Sequence, residues 1–260
     1  MTVTDQLNRT IEISDSCKRI VSLVPSQTEL LVDLGLEDKI VGVTKFCIHP
    51  KGFKKHKTVI GGTKNFNFDK IRELNPDLII GNKEENYKDG IEELAKDYPV
   101  WMSDIFTIED AQDMITSVGE ITNTQQKADE INEQIAVELK TLNSKKTTTK
   151  KALYFIWKNP YMVAGSNNYI NEMLLLNGYQ NVCNSSDYSR YPELTESEII
   201  NLAPEEILLS SEPFPFKEKH IKEMKQLAPD AVIKIVDGEL YSWYGSRLIK
   251  ALRHFNLPKI

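Results

Sequence analysis

At 260 residues, with 40% hydrophobic and 27% charged side chains, the chain has the make-up of a soluble globular protein rather than a disordered or fibrous one, and it exceeds the usual size of one compact core. A formal charge of -6 argues against a nucleic-acid partner, which would leave a basic stripe to neutralise phosphates. The basic cluster Lys51 to Lys57 is short and reads as a solvated loop.

Met1-Thr-Val-Thr-Asp-Gln6 has neither a basic start followed by an apolar stretch nor a cleavage site, so no signal peptide is expected. No apolar run is long enough to span a bilayer. From about Ile20 onward, strand-like apolar runs alternate with helical patterns, which is the pattern of an α/β fold with mostly parallel sheets. Strands are expected at Ile20–Val24, Ile40–Val43, Leu78–Gly81 and Val100–Ser103. Ser26 and Glu29 read as a capping box that opens the first helix, and Gly35 as its stop. A glycine turn at Gly61-Gly62-Thr63-Lys64-Asn65 precedes a helix at Asn67; the same residues could bring backbone amides and a lysine to an anion.

Thr124 to Asn143 carries apolar residues at Ala128, Ile131, Ile135, Leu139 and Leu142, so one stripe of a long helix is apolar. At about 1.5 Å per residue the helix would be roughly 30 Å long, enough to reach from one lobe to another. It holds no Pro or Gly to act as a hinge, so only small closure motions are expected. Lys145 to Lys151 reads as an exposed turn, after which strands recur at Ala152–Ile156, Asn181–Cys183, Glu206–Leu209 and Val232–Val236.

The two halves share a plan. Ile71-Arg-Glu-Leu74-Asn-Pro76-Asp-Leu-Ile79-Ile80 matches Ile199-Ile-Asn-Leu202-Ala-Pro204-Glu-Glu-Ile207-Leu208. In both, a short helix must stop before a proline, and a buried strand follows. Each half also ends a strand on an aspartate, Asp104 and Asp237.

Local catalytic and metal-binding patterns are absent. His49, His56, His220 and His254 never form HxH or HExxH, and a metal site would need His49 to converge with distant carboxylates. There is no GxSxG, no P-loop and no GxGxxG after the first strand, so no nucleophile is nominated. Cys17, Cys47 and Cys183 form no CxxC pair and read as small core residues, although an oxidising compartment would allow one bridge. The aromatic residues Phe46, Phe66, Trp157, Tyr161, Tyr188, Tyr191, Tyr241, Trp243 and Tyr244 fall at or just after strand ends, which form the ligand crevice of open α/β sheets. Any one ring is more simply a packing residue; the grouping is what points to a ligand.

At Arg19-Ile-Val-Ser-Leu-Val-Pro-Ser-Gln-Thr-Glu-Leu-Leu31, Val41-Gly-Val43, Gly62 to Ile71, Asn75 to Ile80 and Asn159-Pro-Tyr-Met-Val-Ala-Gly165, the chain resembles the helical-backbone substrate-binding proteins of ABC transporters. The resemblance covers nearly the whole chain and is nearest to the cobalamin-binding branch, whose relatives take haem, ferric siderophores or metal ions. It implies two Rossmann-like α/β lobes, 1–123 and 145–260, joined by a bridging helix over 124–144, with the ligand in a shallow cleft. It further implies a monomer that is not an enzyme and has no catalytic cofactor, and that carries cobalamin, haem or a ferric siderophore to a permease. The implied location is periplasmic or extracytoplasmic, with an intracellular carrier as the alternative reading of the missing leader.

On this resemblance the pocket walls are Phe46, Trp157, Tyr161, Tyr191, Trp243 and Tyr244, and the polar contacts are Lys64, Lys83 and Arg190. Lys64 stands where the cobalamin-binding relative has a tryptophan, and Lys83-Glu-Glu-Asn86 puts charge where that relative has a tryptophan and glycines, so a more polar pocket is expected. In that relative a glutamate on each lobe meets permease arginines. The first maps onto Asp69. The second aligns with Ser197 and is assigned to Glu196, because Glu198 is expected to serve a capping box with Thr195.

Overall fold

The computed structural model describes residues 1–143 and 149–257, which divide into two units. The first takes Met1–Ile105, Glu109–Ala136 and Tyr244–Ile249; the second takes Phe106–Ile108, Val137–Trp243 and the chain from Lys250.

The first unit opens on a hairpin of β1 (Thr2–Thr4) and β2 (Thr10–Glu12). There follow β3 (Ile20–Ser22), α1 (Pro25–Asp33), β4 (Ile40–Val43), β5 (Thr58–Val59) and the short antiparallel pair β6 (Gly61–Gly62) and β7 (Asn65–Phe66). Then come α2 (Phe68–Leu74), β8 (Leu78–Asn82), α3 (Lys88–Leu94) and β9 (Val100–Ser103). The sheet order is β5-β4-β3-β8-β9 and every pairing is parallel. Every residue of β3, β8 and β9 is buried, as strands covered on both faces require, which is why they read as continuous apolar runs. After α4 (Ile108–Thr122) comes α5 (Gln125–Asn143), whose residues through Ala136 belong to the first unit and from Val137 to the second. Its stripe buries Ala128, Ile131 and Ile135.

The second unit holds β10 (Lys150–Trp157), β11 (Tyr161–Val163), α6 (Tyr169–Leu176), β12 (Tyr179–Asn181), β13 (Glu193–Leu194) and α7 (Glu196–Leu202). It continues through β14 (Glu206–Ser210), α8 (Glu218–Leu227), β15 (Val232–Val236) and α9 (Glu239–Ser242). The last helix, α10 (Arg247–Phe255), begins in the first unit and ends in the second. The sheet runs β13-β11-β10-β14-β15, with β12 also pairing β10. The β10, β12, β14 and β15 pairings are parallel and those of β11 and β13 antiparallel. Leu153, Phe155, Ile207, Leu209 and Met224 are among the core residues.

The fold is thus α/β with mostly parallel sheets. The expected strands are present, with ends moved by a residue or two: the first stops at Ser22 and the one expected at Asn181–Cys183 lies at Tyr179–Asn181. The expected turn at Lys145–Lys151, and the 144/145 boundary with it, lies mostly outside the described residues. The capping box at Ser26 and Glu29 is corrected. Pro25 occupies the first turn, where its missing N–H costs nothing and its fixed φ suits the helix, so Val24 becomes the N-cap and accepts no side-chain bond. Gly35, at φ 81°, follows the helix end in the left-handed conformation that a glycine stop provides.

The matched segments fold alike. α2 and α7 are capped by Asn67 and Thr195, whose side chains accept from the backbone N–H groups of Lys70 and Glu198. Both leave the helix through a left-handed residue before proline, Asn75 at φ 41° and Ala203 at φ 44°. Asparagine tolerates that conformation, whereas alanine places its Cβ against the following carbonyl at about 1–2 kcal/mol. Ala203→Gly removes that strain against a backbone-entropy cost of about 0.5–1 kcal/mol, so a net gain of up to about 1 kcal/mol is expected. An unchanged or lower urea midpoint for Ala203→Gly would contradict this account.

Candidate functional site

A parallel sheet brings the C-terminal ends of its strands to one edge, and in the first unit a buried polar network holds the loops that leave it. Asn82 Nδ2 and Gln27 Nε2 donate to Ser103 Oγ at 2.9 and 2.8 Å, and Gln27 also donates to the Gly81 carbonyl at 3.1 Å. Asn86 accepts from the Asn82 N–H at 2.9 Å and donates to the Thr63 carbonyl at 3.0 Å, tying the turn after β8 to the β6–β7 hairpin. A Cβ on Gly81 would lie 2.6 Å from Asn86 Oδ1, so the network needs glycine there. Tyr244 joins through Ser26 and Ser103, and burial pushes its phenol well up. None of Gln27, Asn82, Asn86 or Ser103 was nominated from sequence; the available signal was a polar residue closing an otherwise apolar strand.

On the rim of that edge Phe46 is 47% exposed. The Lys64 ammonium donates to the Glu84 carbonyl, and Lys83 is tied to Asp104 at 2.5 Å. Lys83, expected to meet ligand, thus already faces a carboxylate. A 450 Å³ hollow in this unit, lined in part by Arg9, Glu12, Lys96, Asp97 and Tyr98, lies at the start of β9, away from these strand ends. Its Arg9 is committed to Asp5 at 2.6 Å, so this hollow is not the candidate site.

In the second unit Trp157 closes β10, is 41% exposed, and meets Phe214 edge-on at 5.6 Å. Phe214 in turn packs on Phe216 at 4.7 Å and His220 at 5.4 Å. Phe214, in the loop after β14, is a further aromatic that sequence reasoning did not nominate; it sits in a Pro-Phe-Pro run rather than directly at a strand end. Tyr161, half-buried, lies edge-on to Phe155 at 5.8 Å. The Arg190 guanidinium lies 4.5 Å over the Phe106 ring and 6.0 Å from Tyr191. Trp243 and Tyr244, expected as neighbouring walls, are both buried and belong to different units.

Trp243 Nε1 donates to Glu212 Oε1 at 2.7 Å, and Ser242 Oγ donates to the same oxygen at 2.9 Å. Burial pushes the Glu212 carboxyl above the usual glutamate range, the two hydrogen bonds oppose this, and Glu239 and Asp237 add to the rise. A raised folded pKa means that the native state holds its proton more tightly than the unfolded chain. The associated stability is fully present below the unfolded value near 4.5 and is lost as pH rises through the folded value. Glu212→Gln keeps an acceptor for Trp243 and Ser242 without the charge, so it is expected to melt higher than the parent at pH 7 and alike near pH 4. Parallel melting-temperature profiles for the two proteins would refute this.

Cys17, Cys47 and Cys183 are free and buried, and burial pushes the Cys17 and Cys183 thiols up to about 11. Such thiols are inert core groups. Among the described residues no three His, Cys, Asp or Glu side chains gather as a metal site, and no helix is long and apolar enough to cross a membrane.

With this geometry, residues 20–234 match the periplasmic binding protein family. The chain belongs to that family. Periplasmic binding proteins bind solutes and form a non-enzymatic class. An uncharacterized ABC transporter substrate-binding lipoprotein of Bacillus subtilis (strain 168), YvrC, is 30% identical over 271 residues, covering 97% of this chain and 83% of that protein. A vitamin B12-binding protein of Vibrio parahaemolyticus is 26% identical over 200 residues, covering 76% of this chain and 72% of its own. Among solved structures, the periplasmic heme-binding protein RhuT from Roseiflexus sp. RS-1, in apo form, superposes with a TM-score of 0.80 at 21% identity, over 92% of this chain and 96% of that one; the likeness speaks to the fold.

In this periplasmic binding protein Asp69 stands in the first turn of α2 with its side chain 87% exposed and Arg72 at 3.2 Å. Glu196 opens α7 and is exposed. Glu198 is occupied, its Oε2 accepting from both the backbone N–H and the hydroxyl of Thr195 at 2.7 Å, as a capping box requires.

Proposed function

We propose that this periplasmic binding protein is the substrate-binding component of an ABC importer, acts outside the cytoplasmic membrane, and carries cobalamin or a similarly large conjugated cofactor. The observation that carries the reading is the exposed Trp157, backed edge-on by Phe214 at a strand end, where rigid aromatic surface is offered to a flat ligand at low entropic cost. The similarity to a vitamin B12-binding protein and to an ABC transporter lipoprotein supports the same direction. A haem or ferric-siderophore ligand is the second reading, favoured by the charge at Lys64 and at Lys83 to Glu85, where a corrin-binding site is expected to be more aromatic. Absorbance titration of the protein with cyanocobalamin, haemin and a ferric siderophore tests it. A saturable spectral change with one of them is expected, and silence with all three would refute the cofactor reading.

Asp69 and Glu196 are the proposed permease contacts. Both carboxylates are exposed, and Glu196, unlike Glu198, is not used by a cap. Reversing both, Asp69→Lys with Glu196→Lys, is expected to weaken association with the cognate transporter by about tenfold or more while ligand titration stays unchanged. Unaltered pull-down of the transporter would remove these residues from the interface.

A further inference from the structure

We infer that the second unit carries a self-association edge, at which β15 (Val232–Val236) pairs antiparallel with β15 of a second copy of this chain. This departs from the monomer that the family resemblance implies. A strand that ends a sheet leaves a row of unpaired N–H and C=O groups, and folds normally blunt it. The other sheet ends are blunted here. β5 and β13 close their sheets with two residues each, and β12 is three residues long. β9 is buried throughout and is capped from the turn of the β1–β2 hairpin. There the Met102 N–H donates to Asp5 Oδ2 at 3.2 Å, the Met102 carbonyl accepts from the Gln6 N–H at 3.2 Å, and the Val100 carbonyl accepts from Arg9 Nη2 at 2.9 Å.

Among the described residues β15 has no such cover. It ends the sheet beyond β14, and Val232 and Ile235 are 49% and 37% exposed. The Val232 N–H donates to the Glu205 carbonyl at 2.9 Å and the Val236 carbonyl accepts from the Ser211 N–H at 3.0 Å, so the backbone groups of Val232, Lys234 and Val236 face β14. By the alternation of a strand, those of Ile233 and Ile235 face the open edge. A lysine commonly guards such an edge, but Lys234 is turned to β14, where its ammonium donates at 2.9 Å to Glu206 Oε2, on a buried carboxylate that Lys150 also holds at 2.6 Å. The strand reads Val-Ile-Lys-Ile-Val, the same in both directions. A two-fold axis at Lys234 therefore sets Ile233 against Ile235 of the second copy, and Ile235 against its Ile233, each pair exchanging both N–H···O bonds, while Val232 meets Val236 on the opposite face. The two Lys234 ammonium groups stay apart because each is tied to its own Glu206. A second copy thus satisfies the outward backbone groups and covers the apolar side chains of both faces together. Because the copies run antiparallel, the β10 ends that carry Trp157 lie at opposite edges of the joined sheet.

A five-residue edge is smaller than a standard interface, so the association is weak and depends on concentration. The test is sedimentation equilibrium of the full chain from low micromolar to submillimolar concentration, with amide hydrogen exchange read at Ile233 and Ile235. A monomer–dimer equilibrium is expected, with protection of those two amides rising as the dimer fills. Ile235→Pro removes an N–H that β14 does not use, at an edge position where proline is tolerated, and is expected to weaken the dimer by about tenfold or more with unchanged thermal unfolding. Ile235→Lys, which sets a charge on the open edge, is expected to do the same and serves if the proline variant does not fold. A chain that stays monomeric throughout, a dimer in which the two amides exchange as fast as in the monomer, or a dimer kept at parental strength by the folded variants overturns the inference.

Discussion

Trp243→Ala is expected to lower the unfolding free energy by about 3–5 kcal/mol, the usual range for emptying a buried indole site. The side chain is 7% exposed, and its Nε1–H is held by Glu212 at 2.7 Å. Truncation therefore opens a cavity and also leaves an already costly buried carboxylate with Ser242 as its remaining hydrogen-bond donor. Against a typical total of about 5–15 kcal/mol, the loss is a large fraction of the fold's stability. Trp157→Ala should behave in the opposite way. That ring is 41% exposed and loses mainly an edge-on contact with Phe214, so stability falls by about 1 kcal/mol or less. Its cost is expected in binding instead, about 2 kcal/mol or thirtyfold, if the ligand covers the ring. Urea melts and ligand titrations on the two variants separate the roles, and equal stability losses at the two sites would contradict the assignment.

Arg247→Ala is expected to cost about 3–5 kcal/mol as well, because it leaves a shielded carboxylate unpaired. Arg247 Nε and Nη2 each donate to a Glu29 oxygen at 2.6 Å, in the bidentate geometry that suits guanidinium and carboxylate. The arginine side chain is 2% exposed and the glutamate 19%, so solvent does little to replace the lost partner. The pair binds the Tyr244–Ile249 segment to α1 within the first unit. Replacing both members, Glu29→Gln with Arg247→Met, removes the orphaned charge and should recover most of the loss. Calorimetry or urea unfolding of the single and double variants checks this; a double variant no more stable than Arg247→Ala would show that packing rather than charge dominates.

The sequence by itself determined the elements and the internal repeat. Strands such as β4 and β9 lie within the expected bounds, because a buried parallel strand must be a short apolar run. The matched α2–β8 and α7–β14 segments were legible because caps and prolines act on residues within a few positions of themselves. The tertiary structure alone decided which polar and aromatic groups are already engaged. Glu29 looked like a local cap partner, yet its carboxylate is bound by a residue 218 positions away. Trp243 and Tyr244 looked like walls and are buried, and Lys83 looked like a ligand contact and faces Asp104. Backbone preferences are set by neighbours in the chain, whereas the partner of a charge or ring is set by which strand ends the sheet brings together, and no local spacing encodes that distance.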